Sequence, residues 1–221
     1  MKEPEKNKAI KNEMHSGKIY NPSNIKLMLE QFHYLDSVRK YNKTHCSPIG
    51  ILIRQLRLKR MFAEIGRDCY IEPPFHSNFG GRHTHFGDYV YANYNLTLVD
   101  DTHIFVGDRV MLGPNVTLAT AGHPVLPEFR EQSLQFNMPI RIGDNCWLGA
   151  GVIVLPGVTI GENSVIGAGS IVTKDIPANV VAVGNPCRVL REIGEKDRQF
   201  YYKDMQIPQA ILDKYTKNND N

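Results

Sequence analysis

Between Ile142 and Pro177 the chain repeats every six residues, as IGDNCW, LGAGVI, VLPGVT, IGENSV, IGAGSI and VTKDIP. Each block opens on an aliphatic residue: Ile142, Leu148, Val154, Ile160, Ile166 and Val172. The fifth places hold Cys146, Val152, Val158, Ser164, Ser170 and Ile176, all small or β-branched, while Gly, Asp, Asn and Glu crowd the places between. A helix would repeat its apolar residues every three or four positions and a flat strand every two. A fixed period of six beside turn formers predicts a parallel β-helix, one short strand and one turn per block. Equivalent aliphatic residues then stack inside a prism. One coil cannot bury its own apolar face, so stacking supplies the core.

The same period begins at Ile65, with IGRDCY and IEPPFH, passes an irregular stretch SNFGGRHTH, and continues through FGDYVY and ANYNLT to Leu98. Its phase slips at Asp100 to Phe105 and resumes from Val106 with VGDRVM and LGPNVT. Residues 119–141, containing AGHPVLPEFREQSLQFNMP, break it altogether. Coils stack without insertions, and loops of this length in compact domains are usually functional or disordered, so this is the first place to look for chemistry.

The flanks differ in kind. Residues 1–64 carry helical spacing over Ser23 to Arg39 and Pro48 to Glu64, with Ile49, Leu52, Ile53, Leu56, Met61 and Phe62 as the apolar set. Arg54, Arg57, Lys59 and Arg60 between them read as a solvated basic face. Asn21, Pro22 and Ser23 supply a helix-start signal. After Pro177 the segment ANVVAVGNPCRVLREI closes the prism. A short helix within Arg188 to Asp204 is expected to cover its open end, whose strand edges would otherwise stay unpaired. The predicted organisation is a helical cap over 1–64, a β solenoid over 65–187 with its insertion at 119–141, and a helix with a polar tail over 188–221.

Composition narrows the function classes. A net charge of +3 with 22% charged residues is close to balance and gives no reason to expect a nucleic-acid partner. No apolar run reaches the length of a membrane span and MKEPEKNKAIKNEM lacks a hydrophobic signal region, so no membrane partner and a cytoplasmic location are expected. Cys46, Cys69, Cys146 and Cys187 show no metal-like spacing and read as small buried apolar residues in a reducing compartment.

Several stretches together resemble one family. SGKIYNPS, IEPPF, YVYANYNLTLVDD, GPNVTL, AGHPV, NCWLGAGVIVLPGVTIGENSVIGAGSIVTKDIP and VGNPCRVLREI are similar, over nearly the whole chain, to the maltose and galactoside O-acetyltransferases among the hexapeptide-repeat acyltransferases. The resemblance implies a left-handed parallel β-helix, assembled as a homotrimer with sites between neighbouring prisms. It implies acetyl-CoA as acetyl donor, a small sugar or glycoside as acceptor, direct transfer without a covalent enzyme intermediate, and no metal.

It also implies roles for single residues. His123, in AGHPV, matches the catalytic histidine; imidazole ordinarily takes a proton near neutrality and suits a general base toward a sugar hydroxyl. Asn93, in YANYN, matches an asparagine shared between acceptor and thioester, the competing reading being a rung of an asparagine ladder. Asp101, Tyr91 and Asn78 match acceptor contacts. Trp147, Ala150, Ala168, Thr173 and Lys174 match the lining of the pantetheine channel, with the Ala150 main-chain N–H as oxyanion donor. Arg188 and Arg191 match contacts to the phosphate-bearing nucleotide. The chain departs from the family pattern at IYNPSNIKL, where Asn21 and Asn24 stand for aspartates.

Three alternatives follow from the residues. Zinc hydrases of the carbonic anhydrase kind share the fold and use three histidines drawn from adjacent subunits, and His83, His85, His103 and His123 are available. A prism kept only as a scaffold is the second. An acetyltransferase with a xenobiotic or amine acceptor is the third.

Overall fold

Every first-place and fifth-place residue of the six repeats is buried, as the period requires. The computed structural model describes residues 11–216; the first ten residues of the expected cap and the end of the expected tail lie outside them. Short parallel strands stack into three faces. On the first, Ile65, Phe86, Val106, Ile142 and Ile160 are successive register partners. The second carries Ile71, Ala92, Leu112, Leu148, Ile166 and Ala182. The third carries Ser77, Leu98, Leu118, Val154 and Val172. These inward ladders form one continuous core, and the chain is the expected parallel β-solenoid.

The corners are built by the turn formers. Asn145, Asn163 and Asn179 all adopt positive φ, near 60°, a conformation asparagine tolerates better than most residues. Their amides bond one above another at 3.0 Å. Gly149 is required for a different reason: a Cβ there would lie 2.7 Å from the Ala168 backbone nitrogen in the next coil.

The irregular stretch and the phase slip are partners. The turn Ser77 to Gly81 wraps the buried Asp100 carboxylate, which accepts from Ser77 Oγ at 2.6 Å, Phe79 N at 2.8 Å and Gly81 N at 3.0 Å. Burial still pushes that carboxyl above its ordinary range, with the Ser77 bond opposing.

Two helices, α1 (Ile25–Asn42) and α2 (Pro48–Met61), cover the first coil. Tyr41 donates to Ile71 O at 2.7 Å, and Asn42 bonds Phe75 O and N at 2.8 and 3.0 Å, so open-edge backbone groups are satisfied. The start signal falls slightly later than expected: the α1 cap is Asn24, whose Oδ1 accepts from Lys26 N and Leu27 N.

The expected faces of α2 are partly exchanged. Arg54 is buried, donating to Thr44 Oγ1, Thr44 O and Tyr70 OH. Leu58 and Met61 pack inward beside it, and Phe62 just past the helix end is buried as well. Ile49, Leu52, Ile53 and Leu56 turn outward, with Ile49 73% exposed. The reason is rotational: fixing Arg54, Leu58 and Met61 on the prism leaves the other stripe on the far side of the helix. On α1, Ile25, Met28, Leu29 and Phe32 form a second exposed stripe.

The carboxyl end carries the expected short helix, but a different element covers the open edge. Arg188–Glu192 is a strand, antiparallel to Val180–Val183, and it covers the open edge of the second face by backbone pairing. The helix expected within Arg188 to Asp204 is the single short turn Glu195–Gln199. A hairpin and a second short helix, Gln209–Tyr215, follow. Cys69, Cys146 and Cys187 are buried as read, but Cys46 is exposed, because it sits in the link between α1 and α2 rather than on a ladder.

Candidate active site

The insertion leaves the prism at the corner between the third and first faces. Its base is a small antiparallel ladder pairing Ala121 with Asn137 and Gly122 with Phe136. Between these strands lie His123 and the short helix Pro127–Glu131. His123 is exposed, and its Nδ1 sits 2.8 Å from Leu134 O. A carbonyl only accepts, so Nδ1 carries the hydrogen and Nε2 keeps a free lone pair. The arrangement can take a proton from an approaching hydroxyl.

The same corner gathers Asn78 and Asp101, joined by Asn78 Nδ2 donating to Asp101 Oδ2 at 2.8 Å. Thr173 and Lys174 lie farther along this corner and are exposed. Three residues without an assigned role from the sequence complete the cluster. Gln135 Nε2 reaches Asn137 Oδ1, Tyr20 OH and Asp101 Oδ1 at 2.8, 3.0 and 3.1 Å. Asn137 Nδ2 donates to Tyr20 OH and Met14 O, both at 2.9 Å. Burial pushes the Tyr20 phenol up to about 12, against the Asn137 bond, so it stays protonated. Gln135 and Asn137 look like solvated loop residues in the sequence, and only the alternation of buried and half-buried positions along 134–137 separates them from the exposed loop tip.

A second group stands at the next corner, between the second and third faces. Asn93 is half-buried there, its Oδ1 accepting from Tyr94 N at 2.8 Å. The asparagine ladder at this corner is made by Asn95 and Asn115 instead, at 3.1 Å, which leaves Asn93 out of it. Ala150 and Ala168 stand at the same corner, one position past the rung of Asn93 and in line with Tyr94 and Pro114. The N–H groups of Gly149 and Gly151 are spent on Ile166 O and Pro114 O, and that of Ala150 between them makes no hydrogen bond among the described residues. The pattern recurs one coil on, where Gly167 and Gly169 donate to Ala182 O and Ala150 O and Ala168 N–H is unspent. Tyr91 and Trp147 point outward on the second face, in register with Met111 between them.

These two groups are separated by the third face. One side of the coil spans roughly 15–20 Å at strand rise, so a single prism keeps His123 and Asp101 apart from Asn93, Ala150 and Trp147. Arg188 and Arg191 lie on the last strand at the edge of the second face. Arg188 donates to its neighbour's carbonyl, Cys187 O, while Arg191 holds Asp197 through two 2.7 Å bonds. That pair pushes the Asp197 carboxyl down to about 2.

Asn21 and Asn24 serve local backbone: Asn21 Oδ1 accepts from Ser23 N, and Asn24 is the α1 cap. Of the four histidines weighed for zinc, His83, His85 and His103 do not converge with His123. His83, His85 and His103 gather instead with His15, ring centroids 4.8 to 5.9 Å apart. Nδ1 of His83 faces Asp100 O, that of His15 faces Thr102 Oγ1, and His85 Nε2 pairs with His103 Nδ1. Among the described residues no three His, Cys, Asp or Glu side chains are arranged to hold a metal ion. Nor is any helix there long and apolar enough to cross a membrane.

Residues 139–174 match the family model for the bacterial transferase hexapeptide, six repeats. The galactoside O-acetyltransferase of Lactococcus lactis is 55% identical over 189 residues, spanning 85% of this chain and 90% of that protein. The chain belongs to the galactoside and maltose O-acetyltransferases. The galactoside O-acetyltransferase of Escherichia coli is 48% identical over 77% of the chain and 84% of that protein. Among solved structures, a galactoside acetyltransferase in complex with coenzyme A superposes with a TM-score of 0.84 at 42% identity, covering 94% of this chain and all of that one. The O-acetyltransferase family therefore accounts for the solenoid, the helical cap and the insertion together.

Proposed function

We propose that the chain moves an acetyl group from acetyl-CoA to a hydroxyl of a sugar or glycoside, with His123 as general base. The observation that carries the reading is the bond from His123 Nδ1 to Leu134 O, which leaves Nε2 as the proton acceptor on an exposed loop. The acceptor oxygen attacks the thioester carbonyl carbon while its proton passes to Nε2. The carbonyl oxygen becomes an oxyanion that takes a hydrogen bond from Ala150 N–H; as it collapses the C–S bond breaks, and the proton held on Nε2 passes to the leaving sulfur to release the CoA thiol and restore the neutral ring. Every atom is accounted for without a covalent enzyme intermediate.

The acceptor lies against Asp101 and Asn78, with Tyr91 and Asn93 toward the donor. The pantetheine arm runs past Trp147, Ala150, Ala168, Thr173 and Lys174 toward Arg188 and Arg191. Because the two groups stand at different corners, each site takes the His123 corner from one copy and the Asn93 corner from its neighbour. The protein then works as a homotrimer. The outward stripes on α1 and α2 agree with an assembly that covers them. Support for the donor comes from relatives solved with coenzyme A and with acetyl-CoA.

A thiol-release assay with acetyl-CoA and a panel of glycosides tests the reading. Turnover with a sugar and not with amines is expected. Turnover with amines alone would replace the acceptor class.

A further inference from the structure

We propose that Gln135 is a positioning residue that sets acceptor recognition, by holding the Asp101 carboxylate from the insertion side while Tyr20 holds Gln135. The inference rests on the acetyl-transfer reading above. Most of the insertion is exposed, yet Gln135 is only 8% exposed. A buried amide is tolerated when its hydrogen-bonding groups are used, and this one has three acceptors within reach for two hydrogens. One of them is Asp101 Oδ1, and Asn78 donates to Oδ2. Each carboxylate oxygen thus carries one amide donor. The carboxylate plane is fixed, and one further lone-pair direction on each oxygen is left for a ligand. An ionised carboxylate only accepts, so the group that completes it brings two O–H donors, as adjacent hydroxyls of a neutral polyol do.

The same residue governs the base. Leu134 O orients His123, and the following peptide is pinned on both sides by Tyr20: Tyr20 N donates to Gln135 O at 2.8 Å and Gln135 N to Tyr20 O at 3.0 Å. The acceptor carboxylate and the proton acceptor are therefore aligned through adjoining atoms of one loop. Tyr20 OH, accepting from both Gln135 and Asn137, ties that loop to the amino-terminal segment.

The test uses the full-length protein with acetyl-CoA and methyl β-galactoside, following thiol release, together with acetyl-CoA affinity and thermal midpoint. Gln135→Met keeps the length and removes the donor. It is expected to raise the acceptor KM about tenfold or more, the usual effect of losing a bond to a charged group. Acetyl-CoA affinity and thermal midpoint stay near wild type. Tyr20→Phe shifts the acceptor KM the same way. Gln135→Glu sets two carboxylates against each other, so its acceptor KM improves as pH falls, which the wild type does not show. An unchanged acceptor KM in Gln135→Met overturns the proposal, as does a parallel loss of acceptor KM, acetyl-CoA affinity and thermal midpoint, which marks a fold-supporting residue. Wild type that binds acetyl-CoA but acetylates no sugar sinks the functional reading instead. Calorimetric sugar binding to wild type and Gln135→Met then reads Gln135 without turnover, and equal affinities overturn its role.

Discussion

His123 and Leu134 meet at 2.8 Å across the insertion, ring nitrogen to carbonyl oxygen, and that contact fixes which nitrogen of the imidazole can act. Replacing His123 with alanine removes the proposed base from an exposed loop outside the prism. Turnover is expected to fall about 10²- to 10⁴-fold, with acetyl-CoA affinity close to wild type. Thiol release and calorimetry measure the two separately. Equal losses in both would assign the ring a structural role.

The unspent N–H groups of Ala150 and Ala168 depend on glycines that admit the next coil. In Gly149→Ala the new methyl would lie 2.7 Å from Ala168 N and 3.0 Å from its Cα, both backbone atoms. Overpacking against backbone is expected to cost about 1–3 kcal/mol and to weaken acetyl-CoA binding. Gly169→Ala is the control: nothing lies within 4 Å of its Cβ, and only the positive φ of 71° penalises it, by about 1–2 kcal/mol. Urea unfolding of the pair would refute the packing account if Gly169→Ala cost more.

Arg191 is held by Asp197 and reaches a nucleotide phosphate only by sharing or leaving that partner. Asp197→Ala is expected to tighten CoA binding severalfold, and Arg191→Ala to weaken it. Calorimetry at two salt concentrations decides the matter. Equal affinity in both variants would remove Arg191 from the donor site.

The histidine cluster predicts a pH dependence of stability. Burial pushes His83 down to about 4, partly opposed by its bond to Asp100 O, and burial likewise lowers His15 and His103. The unfolded chain takes up these protons near 6.5 and the folded chain only at lower pH. Their contribution is therefore complete above about 6.5 and is lost as pH falls toward 4. His83→Gln is expected to flatten this decline by on the order of 2–3 kcal/mol, read from urea midpoints at pH 7 and 4.5. The oppositely shifted Asp100 is common to both proteins and cancels. Parallel pH profiles would exclude His83 as the source.

The sequence by itself determined the prism, because a period of six is a local property: each aliphatic first place and small fifth place fixes which side chains turn inward whatever lies elsewhere. Ile142, Leu148, Val154 and their successors are buried for that reason. It also marked the insertion, since a break in a period is visible without knowing what fills it. Only the tertiary structure decided which polar residues matter there. Gln135 and Tyr20 are 115 positions apart, and a polar side chain is worth burying only when its partner is brought to it. The same holds for Asp100 with the turn at 77–81, and for Arg54, whose burial rolled the apolar stripe of α2 outward. Corner assignment was tertiary too: the sequence lists His123 and Asn93 as one set, while the closure of three faces puts them on two edges of the same column.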